Sequence, residues 1–296
     1  GMTIDNVSLK SFAPENIING GFESGSEGWT SNDIEVGDGK NYSDFFNTKI
    51  SELDAWKGNT EISQTFDSDD DDDYIVRIDS AARKGVDLES CQAQIYFNGD
   101  LIAEIKPSDY KLIKNIYYVK VKEGSNELKI KGTGKQDTLG LIIDNISCRK
   151  RPEATGKEYI TNGGFENGST GFFSDDIEIG NGSSYSDNMK SGNVSELDAW
   201  KGNTEVVSKP SIEADGYYEL KFEAASRKGV SQESNKAKVL IDGVELLNID
   251  NSHYEKHTYF IPRYLSAGEH KVSFRGTGKN DTVGIVIDNI SLRRLF

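Results

Sequence analysis

The sequence predicts an all-β protein made of two tandem β-sandwich domains, and three observations carry that prediction. A long internal repeat runs through the chain, its apolar residues recur with a period of two, and glycine-containing turns separate the short apolar runs. The repeat is direct. Asn19-Gly20-Gly21-Phe22-Glu23 returns as Asn162-Gly163-Gly164-Phe165-Glu166, and the stretch from Ser51 to Glu61 returns unchanged from Ser195 to Glu205. Gly132-Thr133-Gly134-Lys135 returns as Gly276-Thr277-Gly278-Lys279, and Ile143-Asp144-Asn145-Ile146-Ser147 as Ile287-Asp288-Asn289-Ile290-Ser291.

In chain order, residues 1–12 come first. Ile4-Asp5-Asn6-Val7-Ser8-Leu9 repeats the closing segment of each copy, so it reads as the last strand of a preceding repeat in a longer array. Residues 13–150 form the first domain, 151–157 a polar linker with Pro152 and Gly156, and 158–296 the second domain. Within the second copy Leu220, Phe222 and Ala224 alternate with Glu219, Lys221 and Glu223, and Val76, Ile78 and Ser80 hold the matching places in the first. Asn98-Gly99 and Asp242-Gly243 are two-residue hairpin signals. Glu123-Gly124-Ser125-Asn126 and Ala267-Gly268-Glu269 separate further strands. No stretch carries a helical period.

Composition bounds the partners. With 49 acidic against 34 basic residues the net charge is −15, which disfavours nucleic acid and anionic membrane and suits neutral ligands or divalent cations. No apolar run reaches the roughly 20 residues of a membrane span, so no membrane insertion is expected, and the first residues do not form a signal peptide. Cys91 and Cys148 face Asn235 and Leu292 in the other copy, which favours two free structural thiols over a bridge.

Candidate chemistry is judged by whether both copies keep it. Alternation in the Ser51 to Trp56 segment puts Glu52, Asp54 and Trp56 on one face, and an aromatic platform beside carboxylates suits a pyranose, whose C–H face stacks while its hydroxyls seek acceptors. Asn59 follows as the loop rim, and Asp198, Trp200 and Asn203 repeat the set. The other reading is that Trp56 caps the sandwich core while Asp54 holds a turn. Arg83 and Arg227 end a strand on the same outward face, free to pair with Asp54 or to bind vicinal hydroxyls. The Gly-Thr-Gly-Lys loops lack the longer frame and following helix of a phosphate loop, which leaves Asp137 and Asp281 as ligand or turn residues. The Asp69 to Asp73 run has an ordinary turn as its counterpart and reads as solvated, with a loose calcium site as the alternative. Side chains on one strand face do not flank a bond from opposite sides, and no nucleophile or zinc motif is present, so the chain is expected not to be an enzyme.

Taken in order, Asn-Gly-Gly-Phe-Glu, Gly28-Trp29, Glu-Leu-Asp, the strand-ending arginine and Ile-Asp-Asn-Ile-Ser resemble the galactose-binding-like β-sandwich superfamily. The nearest groups are carbohydrate-binding modules of the type 4/9/22 class and DUF642-like bacterial domains. This resemblance implies a jelly-roll fold, non-catalytic glycan or polysaccharide binding, and a structural Ca²⁺ held by Glu23 with Asp144 and by Glu166 with Asp288; the other role for those carboxylates is capping backbone amides. It also implies an extracellular, cell-surface or virion setting. The alternative function is a spacer or adhesion stalk without a glycan site. Trp29 faces Phe172 or Phe173 in the second copy and is expected in the core.

Overall fold

The structure, a computed structural model, describes residues 14–55, 58–189, 192–250 and 254–296. The N-terminal strand expected over 1–12 lies outside them. The chain divides into two compact units that part between Pro152 and Glu153, and both are β-sandwiches.

The first unit has strands β1 (Thr30–Ser31), β2 (Glu35–Asp38), β3 (Lys49–Glu52), β4 (Asp54–Ala55), β5 (Gly58–Asn59), β6 (Glu61–Ser68), β7 (Asp72–Ala82), β8 (Ala93–Phe97), β9 (Asp100–Ile105), β10 (Ile113–Val121), β11 (Gly124–Gly132) and β12 (Leu141–Lys150). One sheet runs β1-β6-β11-β8-β9 and the other β10-β7-β12-β3-β2, with β4 and β5 as a separate two-stranded hairpin. All these pairings are antiparallel. The second unit repeats the plan. Its strands Glu178–Asn181, Asn193–Glu196, Val286–Arg294, Gly216–Ala225 and His257–Leu265 form one sheet, opposite a four-stranded sheet built on Val272–Gly276 and Lys236–Ile241.

The alternation read from sequence is the alternation of the core. Val76, Ile78 and Ala82 of β7 meet Ile95, Ile130 and Leu128 between the sheets, while Tyr218, Leu220, Phe222 and Ala224 do the same in the second unit. Ala81 faces away from this core yet is buried, because the segment before β3 folds over the outer face of the sheet. Phe46, Ile50 and Ile142 close a small second cluster around it, and Met189, Val194 and Val286 do so around Ala225. Trp29 is buried and stacked on Phe22 at 5.6 Å, and Phe172 is its counterpart on Phe165. Both hairpin signals adopt left-handed backbone at both central residues, as a type I′ turn requires: Asn98 and Gly99 have φ 50° and 87°, Asp242 and Gly243 52° and 80°.

The Asn-Gly-Gly-Phe segment docks on a bulge. Asn145 and Asn289 have φ near 50°, and the register of β12 shifts between Asp144 and Ser147. The N–H of Ile146 then donates to the Gly20 carbonyl at 2.9 Å, with the same bond between Ile290 and Gly163 at 3.0 Å. A Cβ on Gly20 would lie 1.9 Å from the Ile146 carbonyl oxygen, so only glycine allows this approach.

Cys91 and Cys148 are free and buried. The Arg83 N–H points at the Cys91 sulfur at 3.4 Å, and Asn235 takes over as acceptor from Arg227 N–H at 2.8 Å. Asp69 to Asp71 form the turn from β6 into β7, and Asp72 and Asp73 begin β7. Asp72 pairs with Lys150, and Asp73 with Lys120.

Candidate functional site

The residues expected to share an outward face are distributed over three places. The first is an internal knot at one end of each sandwich. Glu52 and Asp54 are both fully buried, which corrects the expectation that they project outward beside Trp56. After β3 the chain turns into the β4–β5 hairpin, and the loop between β11 and β12 closes over its carboxylates. Arg83 pairs with Glu52 rather than Asp54, through Nη1 at 2.6 and 2.8 Å to the two carboxylate oxygens. Register explains the choice: Glu52 lies opposite Ile142 on β12 and Ala81 lies opposite Ile142 from the other side, which brings the end of β7 to Glu52. The Gly140 N–H also donates to Glu52 at 2.7 Å. Arg83 lies 4.8 Å over the Tyr42 ring, whose hydroxyl donates to Glu35 at 2.7 Å.

The second unit reproduces each contact. Arg227 bonds Glu196, lies 4.9 Å over Tyr185, and the Gly284 N–H donates to Glu196 at 2.6 Å. Burial pushes the Glu196 carboxyl up to about 7, against the pull of the arginine, and pushes Glu52 in the same direction.

Asp54 Oδ2 accepts the backbone N–H groups of Asp137 and Leu139 at 2.9 and 3.2 Å, and Asp198 accepts that of Asp281 at 3.0 Å. Asp137 and Asp281 bind the hydroxyls of Ser90 and Ser234 at 2.7 and 2.8 Å, and Asn59 and Asn203 donate to the carbonyls of Gly134 and Gly278 at 3.0 and 2.8 Å. Thr138 and Thr282 between these contacts have φ 65° and 64°, a conformation unusual for a β-branched residue and held by the bonds on either side. Asp54 and Asp198 are therefore buried and engaged by backbone amides, Arg83 and Arg227 are held by glutamates, and Asp137 and Asp281, though exposed, are each bonded to a serine hydroxyl.

The second place is a groove beside the knot. Trp200 sits at the tip of the second unit's counterpart of the β4–β5 hairpin, with 87% of its surface exposed. Trp56 lies outside the described residues. Next to Trp200 in the chain, Lys201 and Asn203 line an open cleft of about 690 Å³ with Phe173, Asp175, Glu205 and Arg275. Phe173 is 59% exposed, and Lys209 lies 5.6 Å over its ring. Glu205 is held by Lys271 at 2.9 Å and Arg275 at 3.0 Å. The first unit has a smaller cleft of about 440 Å³ at the matching place, lined by Thr30, Asn32, Asn59, Glu61, Lys131 and Gln136. Sequence reasoning named Asn203, which lines the cleft, and Trp200, which is near it in the chain, but not Glu205 or Arg275. Glu61 and Glu205 sit in the identical stretch, and Lys131 and Arg275 keep a cation at the same offset, so a repeat-by-repeat comparison of charge would have exposed them.

The third place is the docked bulge. The Lys49 N–H donates to Glu23 at 2.9 Å and the Thr48 hydroxyl to Asp144 at 2.8 Å, so the two carboxylates converge on one two-residue segment. Burial raises Asp144 to about 6, with nearby Asp79 and Glu23 adding to it. Burial likewise raises Asp288 to about 7, with Glu223 and Glu166 adding. A Cβ built on Gly164 would lie within 4.0 Å of the side chains of Glu166, Asp288 and Asn289, which places those oxygen-bearing groups around one point. Hard oxygens and clustered carboxylates fit a divalent cation in type. Among the described residues no three His, Cys, Asp or Glu side chains converge as a metal site, so any such ion would take its remaining ligands from backbone carbonyls, other side-chain oxygens and water.

No family model matches the chain. It is similar to the multifunctional-autoprocessing repeats-in-toxin protein of Vibrio vulnificus, 26% identical over 153 residues and covering 50% of this chain. The corresponding toxin of Vibrio cholerae serotype O1 is 28% identical over 151 residues, covering 49% of the chain. The matched segment spans 3% of the length of each toxin. Among solved structures, it is similar to a tandem pair of family 22 carbohydrate-binding modules from Paenibacillus barcinonensis, at 13% identity, with 97% and 99% of the two chains covered and a TM-score of 0.32. A family 35 carbohydrate-binding module from Clostridium thermocellum aligns over 42% of this chain and 92% of its own, at 10% identity and a TM-score of 0.31. The ANX2 ectodomain of Arabidopsis thaliana aligns over 92% and 90%, at 7% identity and a TM-score of 0.37.

Proposed function

We propose that each unit is a non-catalytic glycan-binding module whose ligand lies in the groove beside the β4–β5 hairpin, or beside its counterpart in the second unit. The observation that carries this reading is the Trp200 ring, 87% exposed at a hairpin tip and next in sequence to a polar cleft. A ring of that size is rarely left in water without a partner, and indole against the C–H face of a sugar buries both apolar surfaces. Asn203, Asp175, Glu205 and Arg275 place amide, carboxylate and guanidinium groups where hydroxyls would meet them. Two modules on one chain would gain avidity on a polymeric glycan. The likeness to toxin segments supports an extracellular or surface setting.

The test is a glycan array probed with wild type and with the Trp56→Ala/Trp200→Ala variant. Binding is expected to fall at least about tenfold, or about 1.4 kcal/mol, with the melting temperature unchanged. An unaltered signal, or a wild type silent across the array, overturns the site. The spacer or adhesion-stalk reading has its own support, since Asp54, Arg83 and Asp137 are all engaged internally, and it is the reading that a silent array would leave.

The docked bulge is proposed to hold a structural Ca²⁺ through Glu23 and Asp144, and through Glu166 and Asp288, joining the start of each unit to its last strand. An ion bound only by the folded state raises stability by mass action. A melting scan should therefore show a lower midpoint in chelator, restored by calcium, and Glu23→Gln/Glu166→Gln should lose the response. Identical midpoints with and without chelator would sink the proposal.

A further inference from the structure

A pair of exposed tyrosine rings lies away from the groove, on segments with no role in the function proposed above. Tyr110 and Tyr254 are each 45% exposed and occupy matching positions in the two units. Each phenol is tied down: the Tyr110 hydroxyl donates to the Val86 carbonyl at 2.7 Å, and that of Tyr254 to Val230 at 2.8 Å. Each ring is thus fixed by its polar end while much of the residue stays exposed, so little side-chain entropy remains to be lost on stacking.

A lysine–aspartate pair recurs at matching positions in the two units. Lys84 bonds Asp44 at 2.6 Å, and Lys228 bonds Asp187 at 3.1 Å. The backbone holds them in place, because the N–H of Lys84 donates to the Tyr42 carbonyl and that of Lys228 to Tyr185, each at 2.8 Å. In the second unit these groups line a cleft of about 310 Å³ together with Ser186, Asn188 and Ser226. Asn188 donates to the Tyr254 carbonyl at 2.8 Å. The first unit has Phe45, 47% exposed, at the position of Asn188.

We propose that this cleft is a second saccharide subsite in each unit, taking one terminal sugar ring stacked on Tyr254 or Tyr110. This rests on the glycan-binding reading and extends it. Volume sets the ligand size, since about 310 Å³ is at the small end of ligand pockets and suits one ring rather than a run of sugars. The lysine and aspartate present a donor and an acceptor side by side, the arrangement that two vicinal hydroxyls satisfy. Their mutual charge compensation disfavours a phosphate or another anion.

The experiment titrates the full chain by NMR with methyl glycosides of galactose, glucose, N-acetylglucosamine and N-acetylgalactosamine, and probes the glycan array in parallel. Tyr110→Ala/Tyr254→Ala should weaken binding of the monosaccharide probe at least about tenfold, whereas Tyr110→Phe/Tyr254→Phe, which keeps the ring, should stay within about threefold. Trp56→Ala/Trp200→Ala should retain monosaccharide binding while losing longer glycans. If the alanine variant melts early, Asp44→Asn/Asp187→Asn takes its place and must show the same loss. Monosaccharide binding that survives in the folded tyrosine or aspartate variant overturns the subsite and leaves the groove standing. A wild type that binds neither the array nor any methyl glycoside overturns both readings together.

Discussion

At the residue scale, the two units reach the same geometry with different chemistry. Asn98 donates to Asn126 at 2.9 Å where the second unit places Asp242 against His270 at 2.6 Å. The other ring nitrogen of His270 lies 2.8 Å from the Ser266 carbonyl, so both nitrogens face acceptors and only the imidazolium satisfies both. Burial lowers the His270 pKa, but the bonds to Asp242 and Ser266 outweigh it and raise the group above its ordinary value. A folded-state pKa above the unfolded one gives stability that is complete below about pH 6.5 and lost as the pH rises through the folded value. The second unit should therefore melt at lower temperature as the pH is raised through that range. His270→Gln should flatten the dependence, and an unchanged slope in that variant would rule the histidine out as its source.

At the scale of elements, the docking of the Asn-Gly-Gly-Phe segment on the bulged last strand joins the two ends of each unit. The bulge re-aims Asp144, and the flanking glycine lets the backbones touch. Glu15 adds a second tie that sequence reasoning missed, accepting the Cys148 N–H and the Arg149 Nε, each at 2.7 Å. Glu158 makes the same pair of bonds to Leu292 and Arg293. Because a Cβ at Gly20 would meet a carbonyl oxygen at 1.9 Å, Gly20→Ala must displace the segment. The expected cost is about 2 kcal/mol or more, read as a lower urea midpoint for the first unit, whereas Gly25→Ala, with nothing within 4 Å, should cost less than half of that despite its positive φ.

At the scale of the molecule, each unit has its own two-sheet core, and the chain divides at Pro152 and Glu153. A fragment of this length buries enough of its unfolded surface to fold alone. Residues 14–152 and 153–296, expressed separately, should each unfold in one cooperative transition by calorimetry; a fragment without a transition would show that the units depend on each other.

The sequence by itself determined the sandwich, its core alternation, the two type I′ turns and the repeat, because these follow from local periodicity and from backbone conformations that few residue types adopt. It also marked Trp200 as a candidate, because both copies keep a tryptophan there. Only the tertiary structure decided where the polar residues went. One extra residue in a bulge, or one hairpin folded back on itself, changes which side of a strand meets solvent, and period-two reasoning does not register either. Glu52 and Asp54 were read as outward and are interior because the loop ending at Gly140 closes over them. Glu15 and the Tyr110 and Tyr254 rings gained their roles from partners distant in sequence, and such partners leave no local pattern to read.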